Sequence, residues 1–225
     1  MNYKYSLTLL GLILIVLGFI MLDGGIVLIW IGSNFLILGF AHWRGLHGIF
    51  GKRPNGTLQF CHRVLFFPLL TYTAVVWHLL RLFSREPAYS VVTEYLTVGR
   101  RLLPSELRDK FENYIDLTAE FSEPQAIRLI QPYFSLPILD GAAPAPEQLQ
   151  QAIAHLRPGR TFVHCAQGHG RTGLLALAVL LASGEAHNID DGLRMLTMAR
   201  PKIGLNKEQY KCIRSYAEQL RGMRK

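Results

Sequence analysis

The sequence predicts an α/β fold, a mainly parallel sheet flanked by helices on both faces, preceded by an N-terminal helical membrane region. Three observations carry this. The first 84 residues are apolar and nearly free of acids, while the remainder alternates short apolar strands with helical stretches. Within that remainder, a glycine-punctuated turn joins an apolar strand to an apolar helix. Alternating strands and helices favour parallel pairing, with helices covering the sheet.

Half of the residues are hydrophobic and the mean hydropathy is +0.19, high for a wholly soluble chain. The distribution explains it. Residues 1–84 contain Lys4, Arg44, Lys52, Arg53, Arg63 and Arg81 against a single acid, Asp23. Runs 6–22 and 26–41 are uncharged, and an Asp23-Gly24-Gly25 turn separates them. With flanking residues each approaches the ~17–25 residues a spanning helix needs, which predicts a membrane hairpin. The second run, close behind the first, argues against a cleaved signal peptide. A third apolar segment, 64–83, holds Pro68, His78 and Arg81 and either spans or lies in the interface, where Tyr72 and Trp77 fit. Lys4 and the basic stretch 42–63 then share one side, and positive charge favours the cytoplasm. The domain after it is cytoplasmic if the third segment is interfacial and on the opposite side if it spans; Arg81, Arg85, Arg100 and Arg101 favour the cytoplasm. The net charge of +8 comes mostly from this front and suits a bilayer with anionic lipids rather than nucleic acid.

Residues 85–225 suffice for one further domain with its own core. Strands are expected at 91–98, 114–117, 133–138 and 161–164, and a short helix opens near 102–106. Helices are expected at 146–156, 171–183, 188–199 and 206–220. Asn188 is placed to cap its helix, with Asp190 and Asp191 at the positive dipole end.

The chemistry concentrates in His164-Cys165-Ala166-Gln167-Gly168-His169-Gly170-Arg171-Thr172-Gly173. A strand end, a turn and a helix start make a concave ring of backbone N–H groups that favours anions. Residues Ala166, Gln167, Gly168, His169 and Gly170 form that ring, with glycines where the chain must turn tightly. A free thiol has a pKa near ~8.5, and a helix N-terminus beside a cation favours the thiolate of Cys165. Arg171 offers a two-pronged grip on phosphate oxygens that lysine lacks. Thr172 offers a hydroxyl near the sulfur, and His164 precedes the nucleophile. A nucleotide-binding loop would end Gly-Lys-Ser/Thr, whereas this one reads Gly-Arg-Thr.

This segment resembles the signature loop of the cysteine-dependent tyrosine and dual-specificity phosphatases, His-Cys-x5-Arg-Ser/Thr-Gly, at every fixed position. The resemblance implies a dual-specificity phosphatase-like fold and a two-step reaction: Cys165 attacks phosphorus, and water then hydrolyses the cysteinyl-phosphate. It also implies an upstream aspartate as general acid. Asp140 is the candidate, at the end of an extended apolar run and before a Gly, Ala and Pro-rich loop. Asp116, inside the apolar run Tyr114-Ile115-Asp116-Leu117, is the rival. The stretch 200–209 resembles the family's loop before the last helix. Asn206 reads there as that helix's N-cap and Gln209 as a surface residue, with a water-orienting role as the alternative.

Cys61, Cys165 and Cys212 show no metal-ligand spacing, and the chemistry calls for neither metal nor cofactor. The expected function is a membrane-anchored dual-specificity or tyrosine protein phosphatase. The alternatives are a phospholipid phosphatase and an inactive phosphate-binding membrane scaffold. The substrate is accordingly a phosphorylated protein or a phospholipid.

Overall fold

A computed structural model describes residues 3–21 and 23–223, apart from the side chains of Tyr3 and Ile130. Leu22, the end of the first apolar run, lies outside the described residues. Helix α1 (Tyr3–Ile20) packs against α2 (Gly25–Arg44). Their glycines recur every seven residues, Gly11 and Gly18 on one helix, Gly25, Gly32 and Gly39 on the other. A Cβ on Gly11 would lie 2.8 Å from the Gly32 carbonyl oxygen, and one on Gly18 2.6 Å from that of Gly25. The two backbones therefore touch, and the partnering of Gly11 with Gly32 and Gly18 with Gly25 makes the pair antiparallel. Among the described residues, α2 is the helix long and apolar enough to cross a membrane, and α1 is equally apolar but shorter.

The third apolar segment is two helices, not one. Helix α3 (Phe60–Leu65) ends at Phe66, and α4 (Phe67–Phe83) starts anew. Pro68 lies in the first turn of α4, where a missing N–H costs nothing and the fixed φ suits a helix start. The break leaves the Leu65 carbonyl without a helical donor. Trp30 Nε1 (2.8 Å) and Asn34 Nδ2 (3.0 Å), from the middle of α2, supply replacements.

Five strands follow, β1 (Tyr89–Val91), β2 (Leu96–Arg100), β3 (Asn113–Thr118), β4 (Tyr133–Ile138) and β5 (Thr161–Cys165). The order is β1-β2-β5-β3-β4, with β1 antiparallel and the rest parallel. The expected strand 91–98 is a hairpin: the Thr93 hydroxyl accepts from Tyr95 and Leu96 N–H and turns the chain between β1 and β2. Strand alternation divides the core. Ile115, Leu117, Val163 and Cys165 face a cluster that includes α6 (Pro146–Ala154), α7 (Gly170–Ser183), α8 (Ile189–Ala199) and α9 (Lys207–Met223). Tyr114 and Phe162 face the other way, into an aromatic cluster with Phe111 and with Ile127 of the short α5 (Gln125–Ile130). Helical cover is thus heavy on one face and slight on the other.

Front and back share a core. Ala41, Phe50, Phe66 and Leu69 pack with Ala119 and Leu139 of the sheet region. Lys52 reaches beneath β3, where its ammonium donates to Asp116 Oδ2 (2.5 Å), Thr118 O (2.6 Å) and Thr118 Oγ1 (2.8 Å). That uses all three of its donors.

Candidate active site

Cys165 ends the central strand β5, and α7 begins after four intervening residues. The loop between them is held by its carbonyls. Trp77 Nε1 of α4 donates to Ala166 O (2.9 Å), while Arg200 donates to Gln167 O (3.1 Å) and Gly168 O (3.0 Å). With three carbonyls drawn outward, the amides turn toward the sulfur, and Gly168 N–H lies 3.3 Å from Cys165 Sγ. Gly168 has φ +76°, and a Cβ there would fall on the backbone of Gly99 and Arg100, so no other residue fits. His169 turns aside to Glu86 (Nε2 to Oε2, 2.9 Å). Burial pushes the Glu86 carboxyl up, but His169, Arg200 and Lys202 outweigh it and hold it below its usual range.

Arg171 is buried in the first turn of α7. Its Nη1 and Nη2 clasp both oxygens of Glu120 (2.9 and 2.8 Å), and Nη1 also reaches Ile138 O (2.9 Å). Nη2 lies 3.1 Å from Asp140 Oδ1, and Nε has no partner among the described residues. Burial opposes the guanidinium charge, and Glu120 and Asp140 outweigh that. One edge of the fork is therefore anchored by Glu120, while Nη2 also meets the exposed Asp140, and the two residues line the same cavity. Thr172 is fully buried, and its hydroxyl lies 3.5 Å from the Gly99 carbonyl rather than being shown against the sulfur.

Asp140 follows β4 on a loop fastened from both ends of the chain. Asn206 Nδ2 donates to Gly141 O (2.7 Å) and Gln209 Nε2 to Ala142 O (3.2 Å), and His47 contacts Leu139 N and Ala143 O. The side chain of Asp140 is 75% exposed yet touches Arg171, so it can swing without leaving the site. Asn206 does cap α9, in a reciprocal box with Gln209. Gln209 is not a surface residue: it is buried, against Gly170 and the acid loop.

Asp116, the rival acid, is wholly buried. It pairs with Lys52 and accepts from Tyr133 Oη (2.7 Å) and from Thr118 N (2.8 Å) and Oγ1 (2.7 Å). Burial would raise its pKa, but the charge of Lys52 dominates and holds it well below the carboxylate range. His164 stacks on Phe162 (5.5 Å, 21°) and lies 4.0 Å from Asp116. Burial pushes it down to about 4 despite that carboxylate, so it is neutral and structural here. Ligand atoms of Asp116, Glu123 and His164 lie within 4.8 Å of one another, a spacing a metal ion could use, but Lys52 already supplies the positive charge.

Sequence reasoning brought Cys165, the loop, Arg171 and Asp140 to one cavity. It missed Glu120, Arg200 and Trp77. An acid just past the end of β3, beside the strand that carries the cysteine, is the one signal that could have pointed to Glu120.

No protein-family model matches the chain, and no curated protein does. Solved structures do. The crystal structure of Tk-PTP in the active form aligns at TM-score 0.52 and 22% identity, over 59% of this chain and 98% of that one. PTPMT1 in complex with PI(5)P aligns at 0.55 and 12%, over 61% and 99%. Human DUSP28 aligns at 0.53 and 18%, over 60% and 97%. The fold is that of the dual-specificity and tyrosine phosphatases.

Proposed function

We propose that this protein is a membrane-anchored phosphatase that hydrolyses phosphomonoesters through a cysteinyl-phosphate. One observation carries the reading: the loop that holds Cys165, the Arg171 guanidinium and the exposed carboxyl of Asp140 line one cavity. Phosphate oxygens would take the loop amides and the Arg171 guanidinium where it meets Asp140. The Cys165 thiolate attacks phosphorus in line, the P–O bond to the leaving group breaks, and Asp140 gives that oxygen its proton. Water, deprotonated by the same carboxylate, then cleaves the S–P bond and releases phosphate.

The hairpin α1–α2 sits in the bilayer, its basic end holding Lys4, Arg44 and the catalytic domain on the cytoplasmic side. The turn between α3 and α4 lies against Trp30 and Asn34 in the middle of α2, which supports a segment that enters the bilayer part-way. A dual-specificity or tyrosine protein phosphatase is the first form of this function. The second, a phospholipid phosphatase, is favoured by the cavity wall, which α1, α2 and α4 help to build.

The test is hydrolysis of para-nitrophenyl phosphate by the full chain in detergent. Cys165→Ser should reduce turnover to background, with phosphate trapped on sulfur when the wild-type reaction is quenched in acid. An unchanged rate in the variant would leave an inactive phosphate-binding scaffold as the better account.

A further inference from the structure

The cavity over Cys165 is about 450 Å³, within the ~300–1,000 Å³ of small-molecule sites. Its floor is the catalytic loop, and its wall is not part of the phosphatase sheet. Leu7 of α1, Phe35 and Leu38 of α2, and Leu69, Val76 and Leu80 of α4 line it. The outer side of α4 exposes Val75, Leu79, Leu82 and Phe83, so the wall continues into apolar surface. Arg171 is the one Lys or Arg among the described residues lining the cavity, and the reacting phosphate uses it. The nearby cations are engaged elsewhere: Lys52 by Asp116, Arg101 by the Ser122 carbonyl and the rings of Trp77 and Phe121, Arg200 by backbone carbonyls.

Resting on the phosphatase reading, we infer that the substrate is an amphiphile with one phosphomonoester on an apolar chain, the chain lying along the α1–α2–α4 groove. Three physical arguments converge. Beyond Arg171, the described lining offers a second phosphate only the imidazoles of His42 and His169, the latter already held by Glu86, which favours a single phosphomonoester. A peptide would bring backbone N–H and C=O groups against a wall of leucine, valine and phenylalanine with few partners for them. An alkyl chain carries no such groups and gains from every methylene removed from water. The cavity is also continuous from the sulfur to the groove, so phosphate and chain are bound by one site.

The experiment uses the full chain in mixed micelles, with monoalkyl phosphates from four to sixteen carbons at fixed mole fraction. Burial at ~0.8 kcal/mol per methylene sets an upper bound of roughly fourfold in kcat/KM per added carbon for chains taken from water, with a smaller rise for chains taken from the micelle, until the groove is full. Val76→Trp shortens the groove and should move the plateau to shorter chains. A gain that is identical in the two proteins reflects partition into the micelle and overturns the inference. Should the variant fail to fold, a long-chain phosphate with a terminal diazirine replaces it: labelling on α2 or α4 is expected, and labelling elsewhere refutes the groove. Parallel arms with dioleoyl phosphatidate and a prenyl monophosphate distinguish a diacyl from an isoprenoid source. Preference for a phosphotyrosine peptide over all chain lengths sinks the inference while leaving the phosphatase intact. Failure to hydrolyse any ester, para-nitrophenyl phosphate included, sinks the phosphatase itself.

Discussion

Two buried cations stand near the ends of neighbouring strands, and their surroundings are opposite. Lys52, under β3, spends all three donors on Asp116 and Thr118 and meets no cavity. Arg171, beyond β5, gives part of its fork to Glu120, leaves Nε without a partner among the described residues, and lines an open cavity beside Asp140. Each has an aspartate beside it, Asp116 sealed and Asp140 three-quarters exposed. A fully satisfied cation fastens elements together, whereas one with donors left over is ready for a ligand.

The sharpest way to break this contrast is to exchange the roles of the two acids. Asp140→Asn should lower kcat by roughly 10²–10⁴-fold, the worth of a general acid, with little change in melting temperature. The loss should shrink with esters whose leaving group needs no proton. Asp116→Asn should mainly destabilise; steady-state kinetics and thermal unfolding on both variants decide, and a larger kinetic loss at Asp116 would reverse the assignment.

Removing the sealed cation comes next. Lys52→Met leaves Asp116 buried and unpaired, at an expected cost of about 3–5 kcal/mol in denaturant unfolding. Adding Asp116→Asn should recover much of it. Additive losses in the double variant would mean that the pair does not act as a unit.

The pH dependence of stability sharpens the sealed side. Burial lowers His164 from 6.5 to about 4, so the unfolded chain takes up that proton first, and stability is lost as pH falls through this window. Burial, with Asp116 adding to it, raises Glu123 from 4.5 to about 8, so its contribution is lost as pH rises through that window. The two slopes oppose each other up to 6.5, and above it Glu123 acts alone, costing about 2 kcal/mol by pH 8. Glu123→Gln should flatten the alkaline limb in pH-dependent unfolding; an unchanged limb would locate the titration elsewhere.

The smallest effect concerns the loop's outer tie. Trp77→Phe keeps an aromatic ring but strips the stronger of two donors from Ala166 O, leaving the longer Arg101 N–H contact (3.4 Å), at a cost of about 1 kcal/mol. Loop distortion should appear as a loss in kcat/KM for every ester, whatever its chain length.

The site was legible where its chemistry is local. Cys165 and Arg171 lie six residues apart because one turn must present both, so the spacing itself carries the signal. Glu120, Arg200 and Trp77 were not legible, since each meets the loop from 32 to 89 residues away through ordinary surface-looking or apolar context. Fold legibility followed the same line. The strand–helix alternation of the back half gave the parallel sheet, but the β1–β2 hairpin turns on Thr93 without glycine or proline and read as one strand. The break at Phe66 was marked by Pro68, yet its repair by Trp30 and Asn34 depends on a neighbouring helix.

The three outward ties of the catalytic loop have a consequence for synthesis. Trp77 leaves the ribosome long before the loop does, and Arg200 long after it. A nascent chain that has just emerged past Thr172 holds Cys165 and Arg171 but one tie of three. The cradle closes only once the last quarter of the domain has been made, so an unfinished chain carries a nucleophile without the means to use it.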